Sequence, residues 1–480
     1  MVRQYYSRQA RQGMTRLGVT LCMARRTVVR RQGVELEPVL CYDGGNQSSG
    51  HPVKEDTMVE GEGKSKVDRL VSKAVVKVVE ELRELAHKKA SAESAQIALD
   101  GMLEGFIEQA RQFKDLDDQV VEQLQELAEV FPDSPLPWLN LSQVYLERDE
   151  FEQAKKAAEQ GLKVEPGEVG LVFNRALALE EMGDYEAAIV GFKHCIEVNP
   201  HYPWAYSNIG DAYRMLKKYD QAEKHLQEAL KIDPHFAPAL HNLAVLYNDL
   251  EQWAACVYYG QQALRYDPDN AETHLAMGDA LLSLKEHEAA LQHLAAATLI
   301  NPDFVEAYES MSDAYAELDM YELCVGAARE ALKRNAGSWM ALANIGYGLG
   351  RQRRFAEAIK VYQDVLTLVS DPERRLKVLW EIGWNCFMAG QYEEALDYTQ
   401  QAIDCEEPAR LILSFNQGLM LLALGRVDEA EEVYRRAMER AEAEEDQAVL
   451  AEASKDLGEF LARKAVDIEP DSVMSRLLRG

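Results

Sequence analysis

The segment "WAYSNIGDAYRML", Trp204 to Leu216, carries apolar or small residues at Tyr206, Ile209, Gly210 and Tyr213. The spacing i, i+3, i+4, i+7 predicts a helix with one buried face. "YDQAEKHLQEALKI", Tyr219 to Ile232, has the same period and predicts a second helix, with the polar pair "KK" in the turn between them. "DP" follows, and proline disfavours helical geometry in the residue before it, so the second helix ends there.

This pattern repeats. Alanine or cysteine recurs every 34 residues at Ala154, Ala188, Ala222, Cys256, Ala290, Cys324 and Ala358, and proline keeps the same beat at Pro166, Pro200, Pro234, Pro268 and Pro302. The beat then slips by three residues to Ala395 and by one to Ala430. Nine units result, starting at residues 135, 169, 203, 237, 271, 305, 339, 376 and 411. A lone pair of short helices cannot bury its apolar stripe, so neighbouring units must stack.

The units resemble tetratricopeptide repeats, whose pattern runs W-x-x-L-G-x-x-Y, then A, F, A and P. The first unit supplies Trp138, Leu141, Tyr145, Ala154 and Pro166, with Ser142 in place of the usual glycine; the second supplies Ala176, Ala188, Phe192 and Pro200. The resemblance covers roughly residues 135–440 and weakens in the last two units. It implies an all-α chain, an α-α solenoid of about nine helix-turn-helix repeats wound as a right-handed superhelix. The expected organisation is a superhelix over 135–447, N-terminal capping helices over 58–134 and a C-terminal capping helix and tail over 448–480. "LDDQVVEQLQELAEVFPDS" ends on the proline beat at Pro132 and reads as the second half of a degenerate unit.

Asn208 interrupts the first helix of its unit, although asparagine is a mediocre helix former. It is the sixth residue of the unit, and Asn140, Asn174, Asn242, Asn344 and Asn416 are the sixth residues of theirs; Ala276, Ser310 and Glu381 are the exceptions. At about 100° per residue, position 6 lies roughly 150° from the apolar cluster of positions 4, 7, 8 and 11. The wheel therefore places these asparagines away from the inter-helix core, with positions 2, 9 and 13. The ladder is similar to one in the repeat domain of O-linked N-acetylglucosamine transferase, where groove asparagines hold an extended polypeptide. A primary amide both donates and accepts, which matches a peptide backbone whatever its side chains. The competing reading is a solvated asparagine copied by duplication.

The same face is acidic: Asp211, Asp279 and Asp313 at position 9, Glu147, Glu181, Asp249 and Glu317 at position 13, with Glu272, Glu306 and Glu309 nearby. Only Arg351 and Lys377 oppose them on the stripe. Single carboxylates of this kind are usually solvated surface, but the clustering favours a basic ligand. The lysine–asparagine pair of co-chaperone clamps for acidic tails is absent, since positions 5 and 9 read Leu139/Gln143, Phe173/Leu177, Ser207/Asp211 and His241/Val245. Trp380 and Trp384, four apart, mark an aromatic stretch with Tyr347 and Phe415, which reads equally as an interface anchor or as packing for the capping helix.

Composition narrows the classes. The net charge is −29; residues 1–34 hold eight arginines and no acid, so the remainder carries −37. Such a body repels nucleic acid and anionic lipid. No apolar run reaches the roughly 18 residues of a spanning helix. Seven cysteines without CxxC, four of them at small packing positions, read as reduced core residues in a cytoplasmic compartment. Residues 1–57 read as a disordered arginine-rich segment with three alternatives open: a transit peptide, sequence upstream of a true start at Met58, or a basic tail that docks on the acidic body. There is no Walker loop, no G-x-S-x-G and no HExxH; "HEAAL" at His287 is followed by His293 six residues on, not four. No cofactor and no metal set is expected, and no enzyme. The expected function is a non-enzymatic scaffold binding extended, basic protein or peptide partners, with no nucleic acid and no integral membrane segment. The alternative is a regulatory or targeting subunit of a larger enzyme complex.

Overall fold

A computed structural model describes residues 117–405, 410–444, 446–463, 474–475 and 478. The readings made for residues 1–57 and for the helices of 58–116 lie outside these. The described residues contain twenty helices and no strand. They begin with α1 (Asp117–Val130), and nine helix pairs follow. The first helices are α2 (Leu136–Glu147), α4 (Val169–Glu181), α6 (Pro203–Met215), α8 (Ala237–Asp249), α10 (Ala271–Ser283), α12 (Val305–Glu317), α14 (Trp339–Arg351), α16 (Pro372–Ala389) and α18 (Leu411–Ala423). The second helices are α3 (Phe151–Val164), α5 (Tyr185–Val198), α7 (Tyr219–Ile232), α9 (Trp253–Tyr266), α11 (His287–Ile300), α13 (Tyr321–Arg334), α15 (Phe355–Leu368), α17 (Tyr392–Ile403) and α19 (Val427–Ala443). A single helix, α20 (Gln447–Arg463), closes the series.

The chain divides into two compact units, residues 1–242 and 243–480, with the division inside α8. In each unit, consecutive helices pack as an α-α solenoid, hairpin on hairpin. The expected pairs and their turns are therefore present.

The nine turns share one geometry. Position 15 is left-handed in every unit: Asp149, Lys217, Glu251, Lys285, Asp319 and Arg353 have φ between 56° and 62°, and Gly183, Gly390 and Gly425 have φ of 74° to 81°. The next residue's N–H donates to the carbonyl of position 11, as from Glu150 to Tyr145, Asp184 to Leu179 and Arg426 to Leu421. This is the Schellman closure, which satisfies a carbonyl the helix end would leave orphaned. At position 31, before each proline of the beat, the backbone is extended, as in Glu165 (ψ 92°) and Asp233 (ψ 101°). The three-residue slip adds no loop. It lengthens α16 to 18 residues, started by Asp371, whose side chain accepts from the Arg374 N–H, and by Pro372 at the first turn.

Packing explains the small residues. All nine at position 20, from Ala154 to Ala430, are fully buried. Position 8 faces position 24 of the same pair: a Cβ on Gly210 would lie 2.5 Å from Leu226, and one on Gly278 2.6 Å from Leu294. Cys195, Cys256, Cys324 and Cys386 are buried free thiols; burial pushes Cys256 up to about 12, which leaves it unreactive. No helix among the described residues is long and apolar enough to cross a membrane.

Candidate functional site

The first helices carry every residue singled out for binding. In the N-terminal unit these are Asn140 on α2, Asn174 on α4, Asn208 and Asp211 on α6 and Asn242 on α8. In the C-terminal unit they are Asp279 on α10, Asp313 on α12, Asn344 on α14, Trp380 and Trp384 on α16 and Asn416 on α18.

The asparagines do not all face away from the core. Asn208 is fully buried and Asn416 is 4 % exposed, while Asn140, Asn174, Asn242 and Asn344 are half-buried. The wheel treated the same pair's second helix as the only neighbour. First helices of successive pairs also touch, as α2 with α4 and α12 with α14, and their contact covers the flank holding position 6.

That contact is bonded. Asn174 Nδ2 donates to Ser142 Oγ at 2.9 Å and to the Leu139 carbonyl at 3.4 Å. Asn242 Nδ2 donates to Ser207 Oγ at 3.1 Å and to its carbonyl at 3.4 Å. Asn344 Nδ2 donates to Asp313 Oδ1 at 2.7 Å. Ser310, one of the exceptions, bonds Asp279 in the same manner. Asn140 turns instead to its own helix, donating to the Leu136 carbonyl at 2.8 Å. In four units, at Asn174, Asn242, Ser310 and Asn344, position 6 therefore ties a first helix to the one before it, whereas the buried Nδ2 of Asn208 has no hydrogen-bond partner among the described residues. The bonds of Asn140, Asn174, Asn242 and Asn344 use Nδ2 and leave these amide oxygens as acceptors.

The carboxylates divide by surroundings. Asp211 is paired, accepting from Arg214 Nε at 2.8 Å. In the C-terminal unit, four carboxyls meet neutral donors instead: Asp279 with Ser310, Glu309 with Ser338, Asp313 with Asn344 and Glu381 with Tyr362. None of the four has an arginine or lysine within ion-pair distance among the described residues. Burial pushes Asp279 up to about 6, against the Ser310 bond. Burial also raises Asp313 and Glu309, opposed by their hydrogen bonds, and raises Glu381, opposed chiefly by Lys377. The result is a line of partly desolvated acceptors on α10, α12 and α16 that favours an approaching cation.

The aromatic stretch separates. Trp384 stacks on Phe387 at 5.6 Å and packs on the cluster of Phe415, Leu457 and Phe460, which belongs to the capping helix α20. Phe415 is 2 % exposed, so it is core. Trp380 packs on a different cluster, with Leu376, Leu379 and Leu413. Tyr347 is open, with Arg351 over its ring at 5.9 Å. No group of three or more histidine, cysteine or carboxylate side chains among the described residues is placed to hold a metal ion. His293 meets His274, Nδ1 to Nδ1 at 2.9 Å.

Sequence reasoning passed over Glu180 on α4. Its Oε1 is buried and has no hydrogen-bond partner among the described residues, and burial, with Asp211 and Glu181 nearby, holds its carboxyl well above the usual range. The signal was available: position 12 is apolar or small in six of the nine units, Leu146, Leu282, Ala316, Gly350, Phe387 and Leu422, and acidic only here.

Comparison with known proteins adds the following. Family models described as "Tetratricopeptide repeat" match residues 141–207, 203–236, 257–314, 339–405 and 387–445. The photosystem I assembly protein Ycf3 of Rippkaea orientalis (strain PCC 8801 / RF-1) is 34% identical over 91 residues, 18% of this chain. The chain spans about half, 53%, of that relative's length. Among solved structures, the MamA protein is 23% identical, covering 35% of this chain and 91% of its own, with a TM-score of 0.33. YrrB, described as a TPR protein with an unusual peptide-binding site, is 20% identical, covering 39% and 97%, with a TM-score of 0.32.

Proposed function

Because the chain belongs to the tetratricopeptide repeat family and is a protein-interaction scaffold, we propose that it works without catalysis, holding an extended, basic polypeptide segment along its first helices. One observation carries this reading. Asp279, Glu309, Asp313 and Glu381 are partly buried and bonded to neutral donors, and none has a cation within ion-pair distance among the described residues. Desolvated carboxylates of this kind are costly unless something positive completes them. A lysine- or arginine-bearing segment supplies that charge.

The asparagines take a different part from the one their spacing suggests. Their donors already serve backbone or side chains of the first helices, Asn140 within its own helix and Asn174, Asn242 and Asn344 on the helix before, so these four meet a ligand as acceptors, through Oδ1 to its backbone N–H groups. Asn208 and Asn416 support the helix layer from beneath. An assembly role, as in the name of the photosystem I relative, fits a scaffold of this kind and is part of the proposal.

The test is titration of the full chain with a capped peptide alternating lysine and alanine. Asp279→Asn together with Asp313→Asn should weaken binding about tenfold, since a charge-assisted hydrogen bond is worth roughly 1.5–3 kcal/mol. Equal affinity for the doubly substituted chain would remove the acidic line from the proposal. Replacing Asn140, Asn174, Asn208 and Asn242 by alanine examines the ladder separately, and unchanged affinity there would remove the ladder.

A further inference from the structure

We propose that Glu180 is the anionic partner of an arginine side chain, in a subsite on the first-helix face of the N-terminal unit. The inference rests on the reading of that face as a polypeptide groove and assigns it a point of specificity.

A buried carboxyl oxygen without a hydrogen bond is rare, because the desolvation is not recovered. Glu180 Oε1 is such an atom. It stands on the flank of α4, at a position filled by leucine in three other units, Leu146, Leu282 and Leu422. A leucine there would cost nothing to bury. Two groove positions border it: Glu181 beside it in sequence, exposed, and Asp211 on α6. Among the described residues the cation acting on it is Arg214, whose Nε already donates to Asp211 at 2.8 Å. Glu180 thus shares its surroundings with two further carboxyls, and its Oε1 has no hydrogen-bond donor among the described residues.

The missing group is a planar cation with several N–H donors. Guanidinium fits better than ammonium. It sheds water more readily, and its fork can serve Glu180 while also reaching Glu181 or Asp211. In the free chain, burial and the two neighbouring carboxylates keep Glu180 protonated beyond the usual carboxylate range. An arriving guanidinium favours the ionised form, so Glu180 loses its proton to solvent as the cation docks, to the extent that it was protonated before. Surface carboxylates that are already ionised release none, and Asp279, raised to about 6, releases equally in the parent and in a chain changed only at Glu180, so the difference between the two isolates this subsite.

The experiment is calorimetric titration of the full chain at pH 6 with a capped hexapeptide alternating glycine and arginine. It is run in two buffers of different ionisation enthalpy, which yields the protons released per peptide. Glu180→Gln keeps the shape but cannot ionise. Its proton count should fall below that of the parent chain, and its affinity by about tenfold, with thermal unfolding confirming that it folds. The lysine version of the peptide should bind the parent chain more weakly than the arginine version. Binding with the same affinity and proton count in both chains would overturn the subsite and leave the groove standing. No binding to the parent chain would overturn both.

Discussion

At the scale of single residues, the turns show where the repeat is under strain. Six of the nine left-handed positions are filled by residues with a Cβ, at a cost of roughly 1 kcal/mol each. Glycine at one of them should recover part of that. Lys285→Gly is expected to raise the unfolding midpoint, and Gly183→Ala, where a Cβ would meet no neighbour within 4 Å, to lower it through backbone strain alone. Thermal melts of the two variants measure the difference, and equal midpoints would show that the turn geometry relaxes. Asp279 illustrates a residue whose environment outweighs its type. Aspartate at position 9 reads as solvated surface, yet burial lifts its carboxyl to about 6. Its folded value lies above the usual value of about 3.9, so it stabilises the fold most at low pH and loses that contribution as pH rises toward and through 6. Asp279→Asn should therefore melt higher than the parent chain at pH 7 and show a shallower decline between pH 5 and 7.

At the scale of elements, much was legible in the sequence, for a definite reason. A strict 34-residue period fixes helix, turn and helix together, so one unit read correctly places its neighbours. The small residues at position 20 and the prolines at position 32 needed only that register. What escaped was the contact between one first helix and the next. A helical wheel has one apolar arc, whereas each first helix is buried on its main face and again along its flanks. Asn208 and Asn416 were misplaced for that reason, and Glu180 was missed because its flank was counted as surface. Trp384 was ambiguous because the cluster it packs on includes Leu457 and Phe460, which lie far along the chain. These residues pack α20 on the last pair: Leu457 is fully buried and Phe460 6 % exposed in one cluster with Phe415 and Leu419. Removing residues 447–480 should uncover this cluster. Increased binding of a hydrophobic dye and a lower unfolding midpoint are expected, and an unchanged midpoint would mean that α18 and α19 need no cover.

At the scale of the whole molecule, each compact unit is a succession of neighbours, and a helix rarely touches anything beyond the pair before it or after it. Side chains that tie pairs together reach one step back, as Asn174 reaches Ser142 and Asn344 reaches Asp313. A new pair thus finds everything it packs on already made. This bears on how the protein comes into being. Chains whose contacts are local fold quickly and in the order of synthesis. As the polypeptide leaves the ribosome, each hairpin can settle on its predecessor before the next is translated. The amides of Asn140 and Asn174, and the carboxyl of Glu180, are then in place while the acidic line of α10 to α16 is still to be made. A nascent scaffold of this design can begin to engage a client before its own synthesis is finished.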